Sequence, residues 1–241
     1  MLDYAGTIRA RSGENPAIWR GNLDHVLAKP AKVKRERHHA ALPWGAMGGF
    51  FPELQTRSGV AAMALQFAIL TAARSGEVRG MTWRELDLSA GLSVVPAARM
   101  KAEIAHRVPL SPPALAILQS FGPGTPDALV FPGARAGKPM SDMTLAAVLK
   151  RMGRDDITVH GFRSSFRDWC AEAISCPREL AEACLAHRLT SKVEAAYQRG
   201  DQLDKRRLLM IRWAQHCLSG HGGQVIPLIG GGGGAAAGMP A

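Results

Sequence analysis

The feature of the sequence that most constrains the fold is the apolar stretch from Gly59 to Ala73, which is interrupted by Gln66. Apolar residues recur within it at helical spacing, for example at Val60, Met63 and Phe67, and this pattern predicts a largely buried helix. The stretch is too short to span a bilayer, because a membrane-spanning helix needs about 20 apolar residues. It therefore predicts a folded core.

The remaining pattern favours a mainly α fold with a small antiparallel β-sheet or hairpin, an α+β class. Two β-rich runs, residues 92–96 and 106–110, flank a polar turn and predict a hairpin. Residues 129–133 are expected to form a short strand, and Ser141 is expected to cap a helix that ends at Gly153. Further helices are predicted at 18–27, 112–118, 160–174, 177–187, around 193–197 and at 203–218.

The charge balance indicates a polyanionic partner. The chain has 30 Lys and Arg against 20 Asp and Glu, which gives a formal net charge of +10 and a sequence pI near 10.0. Nucleic acid is favoured over a membrane surface because no helix pairs a continuous basic face with an apolar one. The first residues carry charges where a signal peptide needs an apolar run, so a cytoplasmic location is expected.

The densest cluster of positive charge precedes the apolar stretch. Its basic residues are Lys29, Lys32, Lys34, Arg35 and Arg37, with Glu36 as their one acidic neighbour. Two interpretations remain open: a solvated tether, or a strap that contacts DNA phosphates and releases counterions. The overall charge favours the strap.

Common catalytic and metal-binding motifs are absent from the sequence. There is no GxxxxGK[ST], no GxSxG and no carboxylate cluster for a hard metal. The four cysteines form no CxxC pair and lack zinc-ligand spacing, so they are expected to be reduced packing residues. Neither a metal nor a cofactor is therefore expected.

Several cationic and imidazole residues instead lie within structured surroundings. Arg74 directly follows the apolar stretch, and it either binds an anion or pairs with Glu77. His160 and Arg163 open a predicted helix on one face, which suits either a phosphate site or an ordinary surface. Lys101 lies at the predicted hairpin tip, where a solvated lysine is the ordinary expectation.

Two further residues complete the set of candidates. His187 ends the segment PRELAEACLAH, and Tyr197, one of two tyrosines in the chain, follows it. A packed aromatic is the ordinary interpretation of Tyr197 taken by itself. The order of the motifs is more specific than any one of them.

Together the motifs resemble the tyrosine recombinases, and most closely the prophage-type integrases. The resemblance rests on TAARSGEVRGMTW, the lysine in RMKAEIAHRVPL, HGFR, LAH and AAYQRGD, in that order. It runs from about His38 to His216. It implies the catalytic-domain fold of DNA breaking-rejoining enzymes and a site-specific recombinase that needs no cofactor.

The resemblance also implies a role for each candidate. Arg74 and Arg163 would bind the non-bridging oxygens of a scissile DNA phosphate, and His160 and His187 would donate hydrogen bonds to the same oxygens. Lys101 would protonate the departing 5′ oxygen. The remaining implied roles are those of Tyr197 as the nucleophile that forms a 3′-phosphotyrosyl link and of Glu77 as structural support.

The implied domain organisation has three parts. Residues 1–37 would be a remnant of a core-binding domain with a basic linker, 38–218 the catalytic domain, and 219–241 a flexible tail. Family members carry a full helical core-binding domain, so we expect the chain to be a fragment, a truncated product or dependent on a partner. Implied partners are double-stranded DNA attachment sites and further copies of the chain, since relatives act as DNA-bound tetramers. The helix at 203–218 would pack in cis or on a neighbouring subunit.

Two alternatives to a recombinase remain open at this point. The same catalytic residues would suit a type IB topoisomerase-like enzyme that nicks and closes DNA. The chain would otherwise be a catalytically idle DNA-binding remnant of an integrase.

Overall fold

A computed structural model describes residues 1–27, 39–100, 103–187 and 201–220 of the chain. The chain divides into two compact units, Met1–His38 and His39–Ala241. Within the described residues, no helix combines the length and the apolar character that a bilayer crossing requires.

The first unit contains short helical segments. Helix α1 spans Leu2–Thr7, and a kinked turn at Trp19–Leu23 leads into α2 at Asp24–Val26. The sequence predicted one continuous helix over 18–27, and this prediction is wrong. Gly21 adopts a positive φ of 78°, a conformation that interrupts a right-handed helix.

The second unit is mostly helical and has a small three-stranded antiparallel sheet within its described residues, which confirms the predicted fold class. The strands β1 (Leu86–Asp87), β2 (Leu92–Val95) and β3 (His106–Pro109) pair in the order β1-β2-β3. The helices are α3 (Met47–Gln55), α4 (Val60–Thr71), α5 (Ser75–Arg79), α6 (Pro112–Ser120), α7 (Thr144–Arg151), α8 (Gly161–Asp168), α9 (Arg178–Cys184) and α10 (Leu203–Leu218).

Helix α4 is the buried helix that the apolar stretch predicted. It packs against α3, α5, α6, α7 and α10, and even Gln66 is 7% exposed. The Gln66 side chain donates to the Leu54 carbonyl at 3.4 Å, and the Trp213 indole donates to the Ile69 carbonyl at 2.8 Å. These bonds satisfy polar groups whose burial would otherwise be costly, so α4 is a fixed frame for the segment that follows it.

The predicted hairpin is present as β2 and β3, with Val95 opposite His106 and Leu92 opposite Pro109. The predicted strand at 129–133 is not: Leu129 and Pro132 form isolated bridges to Thr82 and Pro139. Pro132 has no backbone N–H for a ladder, which accounts for the difference.

The prediction that Ser141 caps the next helix is also wrong. Helix α7 begins at Thr144, and the Ser141 hydroxyl bonds to the Thr144 hydroxyl at 2.9 Å instead of to a backbone N–H at the helix start. The last helix, in contrast, has the predicted bounds, Leu203–Leu218.

Candidate active site

Helix α5 carries Arg74 at its N-cap. The Arg74 backbone N–H donates to Glu77 Oε2 at 3.0 Å, and Arg74 Nη1 donates to Glu77 Oε1 at 2.7 Å. Glu77 is 6% exposed. One buried carboxylate therefore caps the helix and also fixes the direction of the Arg74 side chain.

Helix α8 carries Arg163, which is 5% exposed. Its Nη1 donates to the carbonyl of Ala72, at the end of α4, and its Nη2 donates to the carbonyl of Leu185, just after α9, at 2.7 Å. Arg163 Nε is buried and has no hydrogen-bond partner among the described residues. The last carbonyls of a helix lack intrahelical partners and carry partial negative charge, so they suit a buried guanidinium.

Both arginines meet at the turn that follows α9. Arg74 Nη2 donates to the Ala186 carbonyl at 3.5 Å, and Arg163 Nη2 lies 3.0 Å from His187 Nε2. Ala72 and Ala186, whose carbonyls receive the two guanidinium groups, both have positive φ, of 51° and 50°. Left-handed backbone is unfavourable for alanine and persists only where the surroundings impose it. The turns at 72 and 186 therefore position the two arginines.

The start of α8 is covered by the segment at 39–42. The Thr158 backbone N–H donates to the Ala40 carbonyl at 2.9 Å, and the Ser165 hydroxyl donates to the Leu42 carbonyl. The rings of His39 and His160 have centroids 4.3 Å apart. This segment therefore holds His160 at the N-terminus of the helix that also carries Arg163.

His187 is bonded at both ring nitrogens. Its Nδ1 lies 2.5 Å from Glu182 Oε2, opposite the nitrogen that faces Arg163. The other oxygen of Glu182 accepts from Arg167 Nε at 2.8 Å. The sequence did not single out Glu182, which is 7% exposed.

The electrostatics of the site are dominated by burial and by the two arginines. Burial, followed by the charge of Arg74, lowers the pKa of Arg163 to about 10, so it stays protonated at neutral pH. Burial also lowers the pKa of His160, with His39 and Arg163 adding to the effect. Burial lowers the pKa of His187 as well, against the opposing hydrogen bond to Glu182. A site with two permanent cations and two imidazoles is suited to an oxyanion such as a phosphate.

A further arginine ties the hairpin to this site. Arg99 donates to both carboxylate oxygens of Glu85, at 2.5 and 2.6 Å, and to the backbone carbonyl of Glu77. It stands at the start of the connection between β2 and β3. His106 begins β3 at the other end of that connection, and burial together with Arg206 lowers its pKa to about 4.

Of the residues predicted to act in catalysis or support, the structure brings five together. These are Arg74, Glu77, His160, Arg163 and His187. The others lie outside the described residues, namely Lys101, Tyr197 and the basic residues Lys29, Lys32, Lys34, Arg35 and Arg37. The described part of the chain contains no group of three or more His, Cys, Asp or Glu side chains that could hold a metal ion.

Sequence reasoning missed three residues that contact the predicted set. They are His39, Arg99 and Glu182. The sequence did contain an indication that such a residue was needed. Arg163 and Arg167 lie one helical turn apart on α8, and two cations on one helix face favour a nearby anionic partner such as Glu182.

The comparisons with known proteins bear on the same part of the chain. Residues 51–203 match the family described as "Phage integrase family". That range includes Arg74, Arg163 and His187. No solved structure gives a significant match to the chain.

Curated relatives match over most of the chain. A prophage integrase, IntA of Escherichia coli K12, is 37% identical over 161 residues, which cover 66% of this chain and 39% of the relative. The integrase of Enterobacteria phage P4 is 32% identical over 80% of this chain and 50% of its own length. The prophage integrase IntZ of Escherichia coli K12 is 32% identical over 86% of this chain and 52% of its own length. The matches thus span between two fifths and about half of these relatives.

Proposed function

We propose that this chain, which belongs to the phage integrase family of tyrosine recombinases, cleaves and rejoins DNA in site-specific recombination. The reaction would proceed through a 3′-phosphotyrosyl intermediate. The observation that carries the proposal is the meeting of Arg74 and Arg163 at the turn that contains His187. Residues far apart in the sequence there form one cationic site.

The two arginines would bind the non-bridging oxygens of the scissile phosphate. A guanidinium remains charged and presents paired N–H donors that match two phosphate oxygens. Arg163 supports this role because its buried charge is met, among the described residues, by carbonyl oxygens and a histidine. A phosphate would supply the anion that these partners do not.

The two histidines would donate hydrogen bonds to the same oxygens. Charge accumulates on them as the phosphorus becomes five-coordinate, and preorganised donors stabilise that charge in the transition state. His160 would also assist the loss of the tyrosine proton. Its position at the start of α8 adds the positive end of a helix dipole on the same side.

Lys101 and Tyr197 complete the proposed chemistry. The Tyr197 oxygen, having lost its proton, would form a bond to phosphorus as the bond from phosphorus to the 5′ oxygen breaks, and Lys101 would give that oxygen a proton. The phosphotyrosyl link stores the energy of the broken bond, so a 5′ hydroxyl can later reverse the step and rejoin a strand. The reaction needs neither hydrolysis nor a nucleotide.

We also propose double-stranded DNA attachment sites and further copies of the chain as the partners. The net charge of +10 supports a DNA ligand, and the basic segment at 29–37 would contact the backbone without reading sequence. The proposed organisation keeps residues 38–218 as the catalytic domain. Crosslinking between subunits in the presence and absence of DNA tests whether assembly requires DNA.

A nicked suicide substrate tests the cleavage step. When the strand breaks near the nick, a short fragment diffuses away and the covalent adduct accumulates. We expect an adduct with the wild-type chain and none with Tyr197→Phe. Tyr4→Phe is the matched control, since it removes the other tyrosine of the chain and should leave the adduct intact.

The same assay separates the rival functions. If the wild-type chain forms no adduct, the idle DNA-binding remnant replaces the enzyme. If an adduct forms and supercoiled plasmid is relaxed while two attachment sites do not recombine, the topoisomerase-like function replaces the recombinase.

A further inference from the structure

His187 lies between two groups of opposite charge, one at each ring nitrogen. Glu182 Oε2 lies 2.5 Å from Nδ1, and Arg163 Nη2 lies 3.0 Å from Nε2. A guanidinium N–H can only donate, and a carboxylate can only accept. Nε2 therefore accepts from Arg163, and the proton of the neutral ring is on Nδ1, where it is donated to Glu182.

This tautomer has a consequence for a phosphate ligand. With Nε2 acting as an acceptor, the neutral ring has no N–H to offer a phosphate oxygen. His187 becomes a donor there only when Nε2 also gains a proton, which makes the ring an imidazolium. A carboxylate on Nδ1 stabilises the imidazolium, as it does in other carboxylate–histidine pairs.

Glu182 is itself held in place. Its side chain is 9% exposed, and Arg167 Nε donates to Oε1 at 2.8 Å while Arg178 Nε lies 4.0 Å from the same oxygen. Arg167 follows Arg163 by one turn of α8, so one helix contacts His187 directly and also through Glu182. The ring and its carboxylate partner thus share one rigid support.

We infer that Glu182 is a positioning residue of the proposed active site that fixes the tautomer of His187 and sustains its protonated form when a phosphate binds. The inference rests on the proposed function, because the phosphate is the ligand that would release Nε2 from Arg163. Glu182 itself would not contact the phosphate.

The charges around His187 come from several elements. Glu182 on α9 favours the imidazolium, whereas Arg163 on α8 and Arg74 at the start of α5 disfavour it. Arg167 partly neutralises Glu182, and Glu77 partly neutralises Arg74. His160, which lies beside His39, is a further titratable group near His187, and the charge of His187 opposes the protonation of His160. A bound phosphate would offset the two opposing arginines and leave the effect of Glu182 dominant.

Histidine NMR on the DNA-free protein tests the pairing directly. In wild type we expect a His187 Nδ1 proton that is shifted downfield and protected from exchange. Glu182→Gln keeps an acceptor of the same shape but removes the charge, so the pKa of His187 should fall by about one unit, the low end for a charged neighbour because the ring is part-exposed. Glu179→Gln, on the same helix, is the matched control and should leave it unchanged.

For a second variant we expect the pKa of His187 to shift in the opposite direction. Arg167→Gln removes the cation that competes for Glu182, so the pKa of His187 should rise. Arg167 is 49% exposed, so this variant is expected to fold even if Glu182→Gln does not. Loosened packing would not raise the pKa in one variant and lower it in the other.

The pH dependence of adduct formation tests the link to function. At saturating DNA, Glu182→Gln should match wild type at low pH and fall progressively below it as the pH rises, to about tenfold slower, because its imidazolium loses the proton earlier. A defect of equal factor at every pH, or a His187 pKa that Glu182→Gln does not change, would overturn the inference. The NMR measurement uses no DNA, so a wild-type chain that forms no adduct counts against the proposed function alone.

Discussion

The N-termini of α5 and α8 each direct an arginine to the turn after α9, but they do so in different ways. At α5 the Arg74 side chain is 29% exposed and pairs with the carboxylate of Glu77. At α8 Arg163 is 5% exposed, and its described hydrogen-bond partners are two carbonyls and His187. One arginine thus pairs directly with a carboxylate, whereas the other is a buried cation bound by carbonyls and a histidine, with Glu77 and Glu182 stabilising its charge without a direct hydrogen bond.

The two helix starts also differ in what covers them. Gly76, in the first turn of α5, is exposed, and its nearest neighbour to an added Cβ would be Arg79 at 3.9 Å. Gly161, the first residue of α8, packs beneath the segment at 39–42, where an added Cβ would lie 2.1 Å from the Ala40 carbonyl oxygen. The α8 end of the site is therefore packed closely against another part of the chain at Gly161, whereas the α5 end has room for a side chain at Gly76.

The largest expected effect separates the two arginines by their chemistry. Arg163→Lys should slow adduct formation by a factor on the order of 10²–10³, because one ammonium cannot reach both carbonyls and also bind a phosphate. Arg74→Lys should cost about tenfold, since a lysine can still pair with Glu77 and carry the charge. Single-turnover rates on the nicked substrate at saturating DNA measure both.

Equal losses in the two lysine variants would show that the planar guanidinium of Arg163 is not specifically required, and that both arginines contribute in the same way. Binding should change little in either variant, because most phosphate contacts of a DNA-binding protein lie outside the scissile site. Titration of labelled DNA provides that control.

The next effect concerns stability and the cover over α8. Gly161→Ala should destabilise the fold by about 1–3 kcal/mol, since the clash is with backbone and no side chain can move to relieve it. Gly76→Ala is the matched control and should be neutral or stabilising by up to about 1 kcal/mol, because alanine favours helix where there is room. Urea unfolding of both variants measures the difference, and a Gly161→Ala variant as stable as wild type would show that the segment at 39–42 yields easily.

The contrast between the α5 and α8 ends of the site also explains which parts of the fold and of the site the sequence could predict. Helix α4 and the arginine after it were predictable because a long apolar run and a charge at its end are local signals. The hairpin and the bounds of α10 were predictable for the same reason. The strand at 129–133 was not, because local β-propensity says nothing about whether a partner strand is in register there.

The partners of the site residues were harder to predict because they depend on packing between distant segments. His39 reaches His160 because the carbonyls of Ala40 and Leu42 accept hydrogen bonds from Thr158 and Ser165, more than a hundred residues away in the sequence. The spacing of Arg163 and Arg167 indicated that an anionic partner was needed, but it did not identify Glu182, because charged residues are common on helices. Its burial beside Arg167 distinguishes it, and burial is a property of the fold.

The smallest expected effect tests the covered end of the site through its pH dependence. The pKa of His160 is lowered mainly by burial and next by His39. A histidine whose pKa is lower in the folded state contributes stability at pH values above its unfolded pKa of about 6.5, and that stability is lost as the pH falls toward the folded value. His39→Gln removes the electrostatic effect of His39 on His160, so the pKa of His160 should rise and the loss of stability between pH 7 and pH 5 should shrink. His25→Gln replaces a side chain that is 75% exposed in the first unit and is the control that should leave both quantities unchanged.

NMR titration of His160 and urea unfolding at the two pH values measure the effect. A lowered pKa of His160 in His39→Gln would mean that the 4.3 Å ring contact stabilises the protonated form instead of opposing it.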